Sequence, residues 1–235
     1  MVRAVFCDIG GPIYDDENFV AAVLTALDEL RERDGNGAVD RSQFREVYNR
    51  IRAQQSGSLR EALAADFLGS VDRKRELHEL TRTYWSHPAG TMYDDVLPFF
   101  RQLAGRVRIG VLANQEAPVI DALHRDGLGG LIDVWGVSAV VGFEKPSPEL
   151  FRWCLKEAGV APGEAVHIGN RLDTDVRPAK AVGLRTVWLL RGEAPDEPSV
   201  EQLAEPDFAV HSLGGLAERL LSTEPFGTTP IAAKS

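Results

Sequence analysis

Apolar and polar positions change rhythm twice along the 235 residues. Residues 2–9 form a short β-type apolar run that contains Asp8 near its end and is broken by Gly10, Gly11 and Pro12. From 15 to 92 the apolar side chains recur at helical spacing, as in Val20, Val23, Leu24, Leu27 and Leu30, then Phe44, Val47, Tyr48 and Ile51. Leu59, Leu63 and Phe67, then Leu77, Leu80 and Tyr84, continue the pattern, with Gly, Ser and Asn clusters between the runs. From 93 onward strand and helix patterns alternate. Strands are predicted over 107–113, within 134–141, and over 165–169, 185–190 and 208–210; helices over 118–127, 148–159 and 175–183. Ser147 precedes Pro148 as N-cap and first-turn proline of the 148–159 helix. This alternation predicts an α/β fold with a doubly wound parallel sheet. The first strand lies before the helical stretch and the others after it, so that stretch is read as an inserted all-helical domain. The expected division is a core of 1–14 plus 93–221, an insertion of 15–92 and a frayed tail of 222–235.

Composition narrows the function classes. A hydrophobic fraction of 44% and a charged fraction of 26% suit a chain that buries a full core. Lys and Arg number 26 against 35 Asp and Glu, a net charge of −9 that would repel a nucleic-acid backbone, and no basic patch offsets it. Two cysteines, Cys7 and Cys154, make neither a disulfide framework nor a zinc quartet. No apolar run reaches the roughly 18 residues of a membrane span, and an acidic residue at position 8 comes too early for a signal peptide. The expectation is a cytoplasmic protein without nucleic-acid or membrane partners.

Parallel sheets bind ligands beyond the carboxyl ends of their strands, which selects four places. Asp8 follows the first strand, where a carboxylate can attack phosphorus or carbon and form a covalent ester. Gly10 and Gly11 beside it would let backbone amides approach a phosphate. Asn114 follows the 107–113 strand and can donate its amide to a phosphate oxygen. Lys145 lies in Glu144-Lys145-Pro146-Ser147-Pro148-Glu149-Leu150-Phe151, beside a helix start, where an ammonium offsets charge on nucleophile and substrate. The fourth place is His167-Ile168-Gly169-Asn170-Arg171-Leu172-Asp173-Thr174-Asp175.

These four segments together resemble the haloacid dehalogenase (HAD)-like hydrolase superfamily, in the subclass with a helical C1-type cap after the first motif. The resemblance implies a Rossmann-like core and hydrolysis of a small phosphate monoester through an aspartyl-phosphate on Asp8. It also implies Mg²⁺ held by Asp8, the Gly10 carbonyl, Asn170 and Asp175, with Asp173 as competitor for the last place, while Asn114, Lys145, Gly10 and Gly11 hold phosphate oxygens. A cap would close over the substrate and exclude water. Three positions depart from the family pattern. Gly10 stands where phosphatases carry a second aspartate as acid and base, Ala113 where a hydroxyl is usual, and Asn170 where an acid binds the metal. Asp15 and Asp16 are the candidate substitutes for the missing acid. The Asn170-x-x-Asp173 spacing resembles that of metal-independent 2-haloacid dehalogenases, which is the second reading, and a catalytically silent binding protein is the third.

Overall fold

Each strand is short, apolar and buried on both faces, as parallel strands covered by helices must be. In the computed structural model, which describes residues 1–224 and Phe226, six strands form one parallel sheet: β1 (Ala4–Cys7), β2 (Arg108–Ala113), β3 (Val134–Val137), β4 (Ala165–Gly169), β5 (Arg185–Leu189) and β6 (Phe208–Val210). Their spatial order is β3-β2-β1-β4-β5-β6, a doubly wound arrangement with β1 at the centre. Alternate residues of β1 serve opposite faces. Val5 and Cys7 pack with Phe99, Phe100, Leu123 and Leu216, whereas Ala4 and Phe6 pack with Leu150, Phe151 and Cys154.

Between β1 and β2 run α1 (Glu17–Arg33), α2 (Arg41–Gln54), α3 (Leu59–Leu68), α4 (Lys74–Tyr84) and α5 (Val96–Leu103). Asp40 and Ser58 cap α2 and α3 through side-chain bonds to Gln43 N and Glu61 N. Val23, Leu27, Leu30, Phe44, Val47, Leu63, Phe67 and Leu77 make the core of α1–α4. The chain divides into two compact units, Asp16–His87 and Met1–Asp15 together with the chain from Pro88. In the sheet unit the two chain segments that lead out and back are tied together, with Asp15 N donating to Thr91 O at 3.0 Å and Tyr93 N to Ile13 O at 3.0 Å.

The sheet unit is completed by α6 (Val119–Arg125), α7 (Ser138–Val141), α8 (Pro148–Ala158), α9 (Arg177–Val182), α10 (Val200–Leu203) and α11 (Leu216–Leu220). Three local readings change. The strand expected within 134–141 stops at Val137, and the next four residues form a helical turn closed by Gly142 at φ 84°. Ser147 does occupy the N-cap of α8, but its hydroxyl donates to Glu149 instead of capping an N–H. The helix expected over 175–183 is preceded by a π-turn, Leu172–Val176, and runs only over α9. Most of the tail expected over 222–235 lies outside the described residues. No helix among the described residues is long and apolar enough to cross a membrane.

Candidate active site

Asp8 leaves the sheet immediately after β1, whose Cys7 is paired with Val111 on one side and Ile168 on the other. Its own N–H donates to Ile168 O at 2.8 Å. The sheet changes winding direction between β1 and β4, so Asp8 and Asn170 flank the switch point. Lys145 reaches this point from the segment before α8. Its ammonium lies 2.9 Å from Asp8 Oδ1 and 2.6 Å from Asp175 Oδ1. Of the three side chains only Asp8 keeps appreciable exposure, 14% against 3% for Lys145 and 0% for Asp175. The carboxylate that would meet a substrate is the open one, and the other members stand behind it.

Asn114, expected to donate to a phosphate, is joined here to the backbone of Lys145. Its Oδ1 accepts from Lys145 N at 2.7 Å and its Nδ2 donates to Lys145 O at 2.8 Å. The amide thus clasps the lysine's backbone at the end of β2. Asp175 is likewise occupied. Oδ1 accepts from Lys145 Nζ and from His167 Nε2 at 3.0 Å, and Oδ2 accepts from Arg171 N at 3.1 Å. A carboxylate only accepts, so His167 presents Nε2–H, and its buried Nδ1 has no partner among the described residues. The approach depends on Gly169, where a Cβ would fall 2.2 Å from Asp175 Cγ. The π-turn supplies the rest of the placement, since Asp175 N and Val176 N both donate to Arg171 O. Asp173 turns away to a two-point ion pair with Arg171, at 2.9 and 2.7 Å.

One ammonium and two carboxylates, all largely buried, set the electrostatics. Burial pushes the Asp8 pKa up to about 7; Lys145 opposes the rise and Asp175 adds to it. Burial also works against an ionised Asp175, but Lys145 and the His167 hydrogen bond outweigh it and hold the pKa well below the usual carboxylate range. Lys145 is disfavoured as a cation by burial, yet its two carboxylates keep its pKa above the ordinary value. Burial lowers the pKa of His167, consistent with a neutral ring.

The turn after Asp8 is built on Gly11, at φ 81°, whose N–H donates to Tyr14 O at 2.8 Å. That N–H, expected to face a phosphate, closes the turn. The Gly10 N–H and carbonyl enter no backbone hydrogen bond among the described residues. Asn170 donates from Nδ2 to Arg191 O at 3.4 Å, and its own carbonyl accepts from Trp188 Nε1 at 3.0 Å. Arg191 itself donates to Gly11 O at 3.2 Å. No motif singles out Arg191 or Trp188 in the sequence, because each meets its partners across long chain separations.

Residues 2–183 match the haloacid dehalogenase-like hydrolase family. The chain belongs to that family. A phosphoserine phosphatase of Thermus thermophilus is 33% identical over 168 residues, covering 68% of this chain and 65% of that protein. A glyceraldehyde 3-phosphate phosphatase of Methanocaldococcus jannaschii is 25% identical over 226 residues, covering 93% and 96%. Among solved structures, a magnesium-bound HAD-hydrolase of Bacillus subtilis superposes with a TM-score of 0.65 at 20% identity, covering 93% and 98%, a likeness of fold. For this HAD-like hydrolase the oxygens left for a hard cation can be read from the hydrogen bonds. Asp8 Oδ2, the Gly10 carbonyl and Asn170 Oδ1 accept none among the described residues, whereas the oxygens of Asp175 are all engaged. No group of three Asp, Glu, His or Cys converges among the described residues. One carboxylate and two neutral oxygens fit a Mg²⁺ that keeps several waters and relies on a substrate phosphate for further ligands.

Proposed function

We propose that this HAD-like hydrolase is a Mg²⁺-dependent phosphatase of a small phosphate monoester. The observation that carries the proposal is the Lys145 ammonium bridging partly buried Asp8 and fully buried Asp175 at 2.9 and 2.6 Å. Asp175 anchors the lysine and Asn114 fixes its backbone, so Nζ stands against Asp8 without reorganising. The Asp8 carboxylate attacks phosphorus, the ester oxygen leaves with a proton from water, and an aspartyl-phosphate forms. Water then attacks phosphorus, giving inorganic phosphate and the free carboxylate. Lys145 and the Gly10 N–H face the charge on the phosphoryl oxygens. Asp8, the Gly10 carbonyl and Asn170 would hold Mg²⁺, which supplies charge neutralisation at the phosphoryl group when bound. Gly10 offers no acid or base, and loss of such a group costs about 10²–10⁴ in rate, so turnover is expected to be slow. The phosphatases among the relatives support the substrate class.

Phosphate release from an aryl phosphate tests this, with Mg²⁺, with chelator, and in Asp8→Asn. Release that needs the metal and disappears in the variant is the expected result. Undiminished release from a folded Asp8→Asn protein would overturn the mechanism. A second reading, metal-free hydrolysis of a carbon–halogen bond on Asp8, is favoured by the single carboxylate available to a cation. It predicts halide release from a 2-haloacid in the presence of chelator.

A further inference from the structure

Two adjacent glycines have the widest backbone freedom of any dipeptide, yet Gly10 and Gly11 follow Asp8 by only two and three residues. The Gly11-to-Tyr14 bond closes this turn from one side. From the other side comes Arg191, two residues past β5 and 12% exposed. Its Nε donates to Gly11 O at 3.2 Å, and one terminal nitrogen donates to Pro12 O. The other forms a fork with Asp95, at 2.9 and 2.8 Å. The guanidinium lies 4.0 Å from the centre of the Tyr93 ring. Asp95 is held in turn by Leu213 N at 2.9 Å. The backbone of Arg191 reaches a third loop, since its carbonyl accepts from Asn170 Nδ2.

We propose that Arg191 is a positioning residue for the reaction at Asp8. Its side chain fixes the peptide turn that presents the Gly10 N–H and carbonyl. Its carbonyl, being an acceptor, selects the nitrogen of the Asn170 amide and so leaves Oδ1 toward the ligand. A planar fork can serve two carbonyls and a carboxylate at once, whereas a lysine ammonium is a point charge on a flexible stem. Residues from the ends of β1, β4 and β5 are thereby set in one register before substrate arrives. This assignment rests on the phosphatase reading above.

The test uses Arg191→Met and Arg191→Lys in the full chain, with two readouts. The first is kcat and KM on an aryl phosphate with Mg²⁺, normalised to folded protein. The second is hydrogen exchange at the Gly11 amide, with Leu112 in the β2 strand as internal reference. Arg191→Met is expected to lower kcat at least tenfold with KM within threefold, and to speed Gly11 exchange at least tenfold while Leu112 is unchanged. Arg191→Lys should recover part of both effects. A folded Arg191→Met protein with kcat within threefold of wild type, or with unchanged Gly11 exchange, would overturn the assignment. Should that variant not fold, Asp95→Asn leaves the arginine in place and loosens its fork, and it carries the same expectations at smaller size. A wild-type protein that releases no phosphate would overturn the phosphatase reading and the catalytic half of this assignment with it. An active wild type with an indifferent Arg191→Met overturns the assignment alone.

Discussion

Replacing Lys145 with Met would strip two carboxylates of the cation they share. In the native protein the ammonium is 2.6 Å from Asp175 and 2.9 Å from Asp8, and its side chain is 3% exposed. Methionine fills most of the lysine stem, so the loss is electrostatic and not a cavity. Deleting one partner of a buried ion pair costs about 3–5 kcal/mol. For a chain of this length each kcal/mol is worth about 2–4 °C, so Tm should fall by roughly 6–20 °C. The pH dependence gives a sharper check. Asp175 has a native pKa below its unfolded value, so its contribution is present above the unfolded pKa and lost as pH falls through the native one. Without Lys145 the pKa of both carboxylates rises, and the native state of the variant binds more protons than that of the wild type. The variant must therefore gain relative stability as pH falls from 8 to 5.5. Denaturant unfolding at both pH values measures the gap, and adding Asp8→Asn should close much of it. A difference under about 1 kcal/mol at pH 8, below the range for a broken buried pair, would refute the reasoning. So would a difference that does not narrow at pH 5.5.

Gly169→Ala places a Cβ 2.2 Å from Asp175 Cγ and should destabilise the fold by about 1–3 kcal/mol or more, read as a lower Tm together with loss of phosphate release. His167 has a native pKa below its unfolded value, so its contribution is full above about pH 6.5 and is lost as pH falls toward the native pKa. A His167→Leu protein should accordingly show a shallower loss of stability between pH 6.5 and 5, by at most about 1.4 kcal/mol per unit, in denaturant melts. An identical slope in the two proteins would remove His167 as the cause.

Strand ends were the most legible part of the site, because an apolar run of four to six residues followed by a polar side chain is visible in any one segment. That logic finds Asp8, Asn114 and Asn170, and the proline-framed segment finds Lys145. It does not find what each side chain bonds to. Asn114 spends its amide on Lys145, 31 positions away, and Asp175 spends its oxygens on Lys145, His167 and Arg171. The Leu172–Val176 turn that aims Asp175 has no apolar period of its own to announce it. In α5, Val96, Phe99, Phe100 and Leu103 repeat at helical spacing, but Pro98 reads as a breaker when the helix start is unknown. It is harmless there because its missing N–H falls in the first turn. Arg191 was invisible because its meaning lies in Gly11, Pro12 and Asp95, contacts that only the sheet order creates.

The tie between Asp15 and Thr91, with that between Tyr93 and Ile13, bears on how the chain can be edited. The points where residues 16–87 depart and return are hydrogen-bonded neighbours within the sheet unit. Excising that segment breaks no strand pairing of the sheet, and a short turn could join the two ends. In chain order α1–α4 are therefore a cassette whose two ends the sheet unit itself ties together. A different cassette could be spliced there while Asp8, seven residues upstream in sequence, keeps every bond it has.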